Sequence, residues 1–262
     1  MLKVRVIPTL LLKNVGLVKG VSFNSWRRIG TLMPAVKVHN TREVDELILL
    51  DISATAEGRS PDFESINEVS AECFVPLTVG GGVRTLEDIR NLLKAGADKV
   101  CITTAAIENS KLISESASRF GSQCIVIGID AKKNEQGIYE CFTHCGTKAS
   151  GKKVSEWAQE AETLGAGEIM ITSIERDGTM SGYDLDLIKS VTDHVSVPVI
   201  ASGGAGNYQH MFDAIQVAKA SAVAAASIFQ FTQQTPLEAK KFLAHKNVRV
   251  RNANIKTEYS FQ

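Results

Sequence analysis

Short apolar runs alternate with longer amphipathic stretches from one end of the chain to the other. Eight of these runs are rich in valine and isoleucine and mostly lack a polar residue at every second position, which is typical of strands covered on both faces of a parallel sheet. The predicted strands are residues 4–10, 46–51, 75–79, 99–103, 124–130, 168–172, 198–202 and 220–224. Eight βα units predict an α/β protein built as one (β/α)8 TIM barrel.

The stretches between the strands carry helix signals. In residues 85–95, Thr85 is a predicted N-cap, Asp88 completes an acidic variant of the capping box, and Gly96 ends the helix. Residues 132–152 are too long for an ordinary βα loop and contain a strand-like stretch at 138–143, so a hairpin over the barrel top is predicted. The barrel is assigned to residues 1–252, and the polar residues 253–262 are predicted to form a loose tail.

The chain also repeats itself. Residues 46–51 correspond to residues 168–173, and residues 75–82 correspond to residues 197–204, both at an offset of 122. One duplication of four βα units closes naturally into eight strands. The sequence therefore predicts two similar half-barrels.

Composition narrows the class of protein. A length of 262 residues suits one barrel, and 44% hydrophobic with 22% charged residues is ordinary for a globular enzyme. Lysine and arginine number 29 against 29 acidic residues, so no overall charge attracts nucleic acid or an anionic membrane. The first eight residues do not resemble a signal peptide, and no apolar run approaches the roughly 18 residues of a membrane span.

Cysteine usage indicates the compartment. The five cysteines are an odd number without a C-x-x-C pair, which favours a reducing cytoplasm. Cys141, His144 and Cys145 cluster in the chain, but no second pair follows at zinc spacing. We therefore predict neither a metal site nor a cofactor.

Two glycine runs follow equivalent strands. Gly81 and Gly82 in one half, and Gly203 and Gly204 in the other, allow backbone N–H groups to approach an anion, although tight turns are a commoner use of glycine. One unit later, Thr103 and Thr104 correspond to Ala226 and Ser227, and Gly178 in a turn joins the set. Paired runs predict a substrate with a phosphate at both ends, with the second site at the usual phosphate site of such barrels.

Ionisable residues at the carboxyl ends of strands are the candidate catalytic groups, because active sites of such barrels form on that face. Asp130 ends a wholly apolar run and suits a general acid or base, while Asp51 and Asp177 are further candidates. Each aspartate has a structural alternative, as an N-cap for Asp51 and Asp130 and as a turn residue for Asp177. Lys19, after strand 1, is either an ammonium for a phosphate or carbonyl or a solvated surface residue.

A second group of charges precedes the strands. Arg5, Glu46, Lys99 and Glu168 fall at the amino-terminal ends of strands 1, 2, 4 and 6. Two cations and two anions at the barrel floor predict a ring of ion pairs. Such a ring either adds a little stability or gates a path through the barrel.

These motifs resemble the cyclase subunit of imidazole glycerol phosphate synthase over roughly residues 1 to 250. The similar segments are residues 50–52, 76–82, 95–99, 120–124, 177–183 and 201–206. The resemblance implies a (β/α)8 barrel that receives ammonia from a glutaminase docked on its floor, through a gate formed by Arg5, Glu46, Lys99 and Glu168. It also implies that Asp98 contacts the glutaminase.

The resemblance fails at one catalytic position. The family uses two aspartates at the barrel mouth on a bisphosphorylated ribulosyl substrate; Asp130 corresponds to one, but Leu11 stands where the other is expected. A leucine neither donates nor accepts a proton, so the acid–base pair is halved. Residues 7–13 resemble a divergent branch associated with surface-polysaccharide synthesis, which implies conversion of an acetamido group on a nucleotide-linked sugar into an acetamidino group with glutamine-derived ammonia.

Three functional hypotheses follow. The leading one is an ammonia-using synthase subunit for acetamidino sugars. The first alternative is a histidine-pathway cyclase in which Asp51 or Asp177 replaces the missing acid, and Leu11 argues against it. The second is a barrel without chemistry that only activates a glutaminase, which leaves the joint presence of Asp130, Lys19 and the glycine runs unexplained.

Overall fold

The fold was described from a computed structural model, which covers residues 3–14 and 16–251. Eight parallel strands form a closed barrel. In order around it they are β1 (Arg5–Lys13), β4 (Leu47–Asp51), β5 (Leu77–Gly80), β6 (Lys99–Ile102), β7 (Ile125–Lys133), β10 (Glu168–Ser173), β11 (Val199–Ser202) and β12 (Ala222–Ala225), with β12 pairing back onto β1. The predicted (β/α)8 TIM barrel is confirmed.

Helices connect the strands on the outside of the barrel. They are α1 (Leu32–Thr41), α2 (Phe63–Glu72), α3 (Leu86–Lys94), α4 (Thr104–Glu108), α5 (Lys111–Phe120), α6 (Val154–Thr163), α7 (Leu185–Thr192), α8 (Tyr208–Gln216), α9 (Ser227–Phe231) and α10 (Pro236–His245). The predicted start of α3 is confirmed: the Thr85 hydroxyl accepts from the Asp88 N–H at 3.1 Å, and Oδ2 of Asp88 accepts from the Thr85 N–H at 2.9 Å. This reciprocal cap fixes the turn that leads from β5 into α3.

Four antiparallel strands extend the sheet at the carboxyl ends of the barrel strands. The predicted hairpin over the barrel top is present as β8 (Tyr139–Thr143) and β9 (Lys148–Lys153), which continue from an extended β7. A second hairpin, β2 (Gly16–Val21) and β3 (Asn24–Gly30), follows β1 and was not predicted. Strand 1 also runs to Lys13 rather than ending at residue 10.

The duplication in the sequence corresponds to the geometry of the barrel. The repeated pairs β4 and β10, and β5 and β11, lie four positions apart in the eight-stranded order, so members of each pair stand opposite one another. β1 and β7 are related in the same way. Residues at equivalent positions of the two halves therefore face each other across the barrel.

Two apolar clusters hold the fold. The larger lies between strands and helices, with Trp157 among its fully buried side chains. The smaller fills the barrel interior, and its buried members are Ile7, Ile48, Cys101, Val126, Met170, Ile200, Ala222 and Ala224. These residues point into the barrel because inward and outward side chains alternate along each strand. The interior cluster lies between the charged residues at the amino-terminal ends of the strands, the floor, and the polar residues at their carboxyl ends, the mouth.

None of the helices within residues 3–14 and 16–251 has the length and apolar character that a membrane crossing requires. The tail predicted for residues 253–262 lies outside the described residues.

Candidate active site at the barrel mouth

A cavity of about 330 Å³ opens at the carboxyl ends of the barrel strands. It is lined by every residue that the sequence assigned to catalysis or to phosphate binding. These are Leu11, Lys19, Asp51, Gly81, Gly82, Thr103, Thr104, Asp130, Asp177, Gly178, Gly203, Gly204, Ala226 and Ser227. Residues far apart in the chain thus share one concave site of the size that small ligands occupy.

Asp130 lies within β7, opposite Thr172 of β10, and its carboxyl group points into the cavity. It is not followed by a helix, so the N-cap alternative is wrong for this residue. Burial, together with the nearby charge of Asp177, raises its pKa to about 7. A carboxyl with that pKa can both accept and donate a proton near neutral pH.

Asp177 and Lys19 form a second charged group beside Asp130. Burial raises the pKa of Asp177, although Lys19 and the Gly178 N–H oppose the rise. Its Oδ2 is buried and has no hydrogen-bond partner within the described part of the chain. The turn interpretation also holds, since the Thr179 N–H donates to the Arg176 carbonyl at 3.1 Å.

Lys19 is only 2% exposed, so the interpretation as a solvated surface lysine is wrong. It belongs to β2 of the first hairpin, which turns its side chain into the cavity. Burial lowers its pKa, while the Asp177 carboxylate opposes that shift. A buried ammonium next to the Asp177 carboxylate is well suited to bind an anionic group at the cavity.

Asp51 is engaged in local structure despite lining the cavity. Its Oδ1 accepts from the Ser53 N–H at 2.9 Å and the Ala54 N–H at 3.1 Å, while Oδ2 lies 2.7 Å from Nη2 of Arg59. Both oxygens therefore stabilise the loop after β4. This favours a structural role for Asp51 in a turn over acid–base chemistry. The N-cap alternative is wrong for Asp51, because the next helix, α2, has Asp62 as its N-cap.

Leu11 forms an apolar part of the wall. It lies on β1, four strands from Asp130 on β7, so the two side chains line the cavity from opposite sides. Leu50 on the adjacent strand is the register partner of Leu11 and extends the apolar surface. The wall opposite Asp130 therefore has a leucine at the position where the resemblance implies a second catalytic aspartate.

The two glycine runs occupy equivalent positions of the half-barrels. Gly81 and Gly203 have φ values of +101° and +86°, in the left-handed region that disfavours other residues. A Cβ at Gly81 would lie 2.1 Å from the Asp51 carbonyl oxygen, and one at Gly203 would lie 2.8 Å from that of Ser173. Turn geometry therefore requires both glycines, and it also brings their backbones to the cavity wall.

The remaining anion-site candidates begin two short helices. Thr103 and Ala226 are the N-caps of α4 and α9, again at equivalent places in the two halves. The Thr104 hydroxyl accepts from the His144 N–H at 3.0 Å, which links α4 to the β8–β9 hairpin. Ser227 is buried at the start of α9.

Two hairpins cover the mouth. The Ser22 N–H donates to the Asp177 carbonyl at 2.8 Å, so the β2–β3 hairpin is attached to the turn after β10. A Cβ at Gly146 would lie 3.0 Å from Cδ2 of Phe23, so the hairpins also meet each other. Sequence reasoning missed the cavity residues Phe23, Trp26, Arg84 and Glu108, and it considered His144 only as part of a metal cluster.

The four floor charges form a closed ring. Nη1 of Arg5 lies 2.9 Å from Glu46 and 3.0 Å from Glu168, and Nζ of Lys99 lies 3.2 Å and 2.9 Å from the same two carboxylates. Burial opposes the charge on Arg5, but the two carboxylates raise its pKa above the ordinary value. The ring comes from both half-barrels and closes the amino-terminal end of the interior.

The surface around the ring carries two further features. Asp98 is exposed, and its Oδ2 accepts from the Leu77 N–H at 2.8 Å, which joins β5 to β6 at the floor. Phe74, in the loop that enters β5, is 80% exposed.

The cysteine cluster is divided between two environments. Cys141 is buried, and the Cys145 thiol donates to the Ile52 carbonyl at 3.0 Å. Burial raises the pKa of these thiols to about 12 and about 11, respectively. Within residues 3–14 and 16–251, no group of three or more His, Cys, Asp or Glu side chains is arranged to hold a metal ion.

A closed barrel with buried ionisable residues and two glycine turns at its mouth has the architecture of (β/α)8 enzymes, which form their active sites at the carboxyl ends of the strands. A family model described as histidine biosynthesis protein matches residues 5–235. The chain therefore belongs to the histidine biosynthesis protein family, whose members are enzymes of the barrel isomerase and cyclase type.

Proposed function

We propose that this protein is the ammonia-using synthase subunit of a glutamine amidotransferase of the imidazole glycerol phosphate synthase type. The observation that carries the proposal is the ring of Arg5, Glu46, Lys99 and Glu168 beneath an apolar barrel interior. If the ring only stabilised the fold, it would contribute little, because removing four charged side chains from water costs about as much free energy as their ion pairs return. A gate at the entrance to the proposed ammonia path would explain why four buried charges meet there.

The proposed path runs from the floor to the mouth. Neutral ammonia can pass an interior of aliphatic side chains and Cys101, whereas charged ammonium would lose its hydration there. Lys99 is the more exposed of the two ring cations, and its flexible stem makes it the side chain expected to move. The path would end beside Asp130.

A glutaminase is the proposed source of ammonia and would dock on the amino-terminal face. Exposed Phe74, in the loop that enters β5, and exposed Asp98, next to Lys99 of the ring, lie on that face and are compatible with the proposal. A partner covering this face would remove the exposed aromatic ring from water. It would also seal the gate against bulk solvent.

At the mouth, Asp130 would accept a proton from the attacking nitrogen, because its pKa lies near neutrality. Lys19 and the turns at Gly81 and Gly203 would bind phosphate groups of the substrate. Asp51 would hold the loop after β4 in place through Arg59. The phosphorylated substrate and these roles are our proposal.

We further propose that the substrate is a nucleotide-linked sugar whose acetamido group becomes an acetamidino group. The nitrogen of ammonia bonds to the acetamido carbon, the C–O bond breaks, and the oxygen leaves as water with two protons from that nitrogen, after a separate step has activated the amide. Leu11 supports this, since it removes the second acid of the family reaction from the wall opposite Asp130. An apolar wall made of Leu11 and Leu50 is compatible with the methyl of an acetamido group.

A histidine-pathway cyclase remains the second candidate, and one observation favours it. Asp177 is buried beside Asp130 and Lys19 with one carboxylate oxygen unpartnered in the described chain. Two coupled carboxyls can divide acid and base roles. A barrel without chemistry is disfavoured, because perturbed pKa values gathered in one cavity are typical of catalytic sites.

The deciding experiment measures turnover of the ribulosyl bisphosphate substrate with excess ammonium, for wild type, Leu11→Asp and Asp130→Asn. We expect wild type to be inactive, Leu11→Asp to gain activity, and Asp130→Asn to bind phosphate ligands without turnover. An active wild type would instead establish the histidine-pathway cyclase. Unchanged turnover in an active Asp130→Asn variant would make Asp130 structural.

A further inference from the structure

A second concavity, of about 670 Å³, lies on the outside of the barrel, separate from the mouth. Its walls come from the β2–β3 hairpin, α1, and the end of α9. We call it the arginine groove, defined by Arg27, Arg28, Val38, His39, Arg42 and Phe231. Neither the proposed reaction nor the floor ring uses any of these residues.

The arginine groove is strongly cationic. Arg27, Arg28 and Arg42 all line it, and no aspartate or glutamate of the described chain does so. In the same part of the chain, none of the three guanidinium groups forms an ion pair, whereas Arg5, Arg59 and Arg90 do. Three guanidiniums held together without a carboxylate create a positive potential that favours an anion.

The guanidinium groups are held by local contacts. Arg27 stacks over the Phe231 ring at 4.3 Å from its centroid. The Arg28 side chain crosses Gly16, where a Cβ would lie 2.6 Å from Nε. Arg42 donates to the Phe229 carbonyl at 3.3 Å. Each contact leaves further N–H donors for a ligand, because a guanidinium carries five.

His39 lies in the wall of the groove and is 4% exposed, with a buried Nδ1 that has no hydrogen-bond partner within the described residues. Burial, with a smaller contribution from Arg42, lowers its pKa to about 4, so the imidazole is neutral at physiological pH. The wall therefore contributes an uncharged ring, and the cationic character of the groove comes from the three arginines.

Apolar surface adjoins these charges. Val38 and Phe231 are 43% and 40% exposed, which is high for large apolar side chains. Phe231 offers an aromatic face next to a guanidinium plane, an arrangement on which a planar heterocycle can stack. The ligand therefore needs an anionic part and a flat apolar part.

We propose that the arginine groove binds a nucleoside phosphate, with the phosphates on Arg27, Arg28 and Arg42 and the base against Phe231 and Val38. The volume is that of a small-molecule site. Guanidinium forks match phosphate oxygens. This binding site requires no assumption about the reaction at the mouth.

The groove lies behind elements that also build the mouth. The β2–β3 hairpin presents Lys19 and Trp26 to the mouth cavity and Arg27 and Arg28 to the groove. α9 likewise begins with Ser227 at the mouth and ends with Phe231 in the groove. A nucleotide in the groove would therefore touch both elements from their outer side.

The test measures binding of UDP, ADP and inorganic pyrophosphate by calorimetry to the full chain. Val38→Glu places an acid in the groove at a partly exposed position, and Arg28→Gln removes one guanidinium. We expect each variant to weaken nucleotide binding about tenfold or more. Arg28→Gln loses a charge-assisted hydrogen bond to a phosphate, and Val38→Glu repels the phosphates. Lys37→Gln removes an exposed cation from the same helix outside the groove and should leave affinity unchanged.

A mouth variant separates this site from the glycine turns, where phosphates are also expected to bind. Ser227→Asp adds a negative charge at the mouth. Nucleotide binding that survives Ser227→Asp but is lost in Val38→Glu and Arg28→Gln supports the groove. The opposite pattern, no nucleotide binding, or pyrophosphate binding as tight as that of UDP and ADP would overturn the proposal.

Discussion

The protonation of Asp130 depends on one neighbour as well as on burial. Asp177 lies close enough to raise the pKa of Asp130, and Lys19 stands next to Asp177 rather than between the two acids. The three groups are therefore a coupled set in which a change at one residue alters the others. Leu11 on the far wall adds no charge to this balance.

This balance makes stability depend on pH. The pKa of Asp130 is about 7 in the folded protein, against an ordinary value of 3.8. Below about pH 4 the carboxyl is protonated in both the folded and the unfolded state and does not affect the free energy of unfolding. As the pH rises from 4 to 7, the unfolded state ionises more readily, so the free energy of unfolding falls. Asp130→Asn abolishes that loss. We expect the free energy of unfolding of the variant to exceed that of wild type by about 2 kcal/mol at pH 8 and by little at pH 4. The value at pH 8 is smaller than the whole pKa difference implies, because the carboxyl faces a cavity.

Denaturant unfolding at several pH values checks this expectation. Asp177→Asn is the companion variant, since it removes the neighbouring charge and should lower the pKa of Asp130 towards its ordinary range. An Asp130→Asn gain that is the same at pH 4 and pH 8 would contradict a raised pKa.

At the scale of elements, the sequence predicted most of the barrel. All eight barrel strands were predicted because each contains a short buried apolar run, a signal that can be recognised without knowing the partner strand. The β2–β3 hairpin was missed because β3 carries Trp26, Arg27 and Arg28 as consecutive residues and is largely exposed, which gives no clean alternation. Burial of Lys19 could not be predicted for the same reason, since this hairpin buries it.

The hairpin is attached to the mouth through Gly178. Its φ is +74°, and a Cβ there would lie 2.0 Å from the Gly20 carbonyl oxygen. Gly178→Ala should therefore push the hairpin away, destabilise the protein by more than about 1 kcal/mol and weaken phosphate binding. Thermal unfolding measures the loss of stability, and calorimetry measures phosphate binding. The fluorescence of Trp26 reports the displacement, because Trp26 lies on the hairpin and the other tryptophan, Trp157, is fully buried.

Gly137→Ala is the matched control for this substitution. Gly137 has a similar φ of +75°, but a Cβ there would meet nothing within 4 Å. The control has the backbone strain without the clash, so we expect it to leave the Trp26 emission and phosphate binding unchanged. Equal shifts in both variants would attribute the effect to strain alone.

At the scale of the whole molecule, the barrel places its ring of ion pairs and its candidate active site at opposite ends. The floor ring and the mouth cavity lie at opposite ends of the strands, with the apolar interior cluster between them. Sequence position alone identified both ends, because charges before a strand and after a strand fall on opposite faces of a parallel barrel. The engagement of Asp51 by Arg59 was not predictable, since it depends on a loop conformation.

If the ring is a gate, its removal should affect one nitrogen source only. Lys99→Ala leaves Glu46 and Glu168 held by Arg5 alone, opening one side of the ring. We expect ammonium-dependent turnover to stay within about twofold of wild type, since the mouth is untouched, while glutamine-dependent turnover per glutamine hydrolysed falls several-fold as ammonia escapes. Lys94→Ala, which removes an exposed cation at the end of α3, is the control and should keep both activities. Equal loss with both nitrogen sources would show that Lys99 supports the fold rather than a passage.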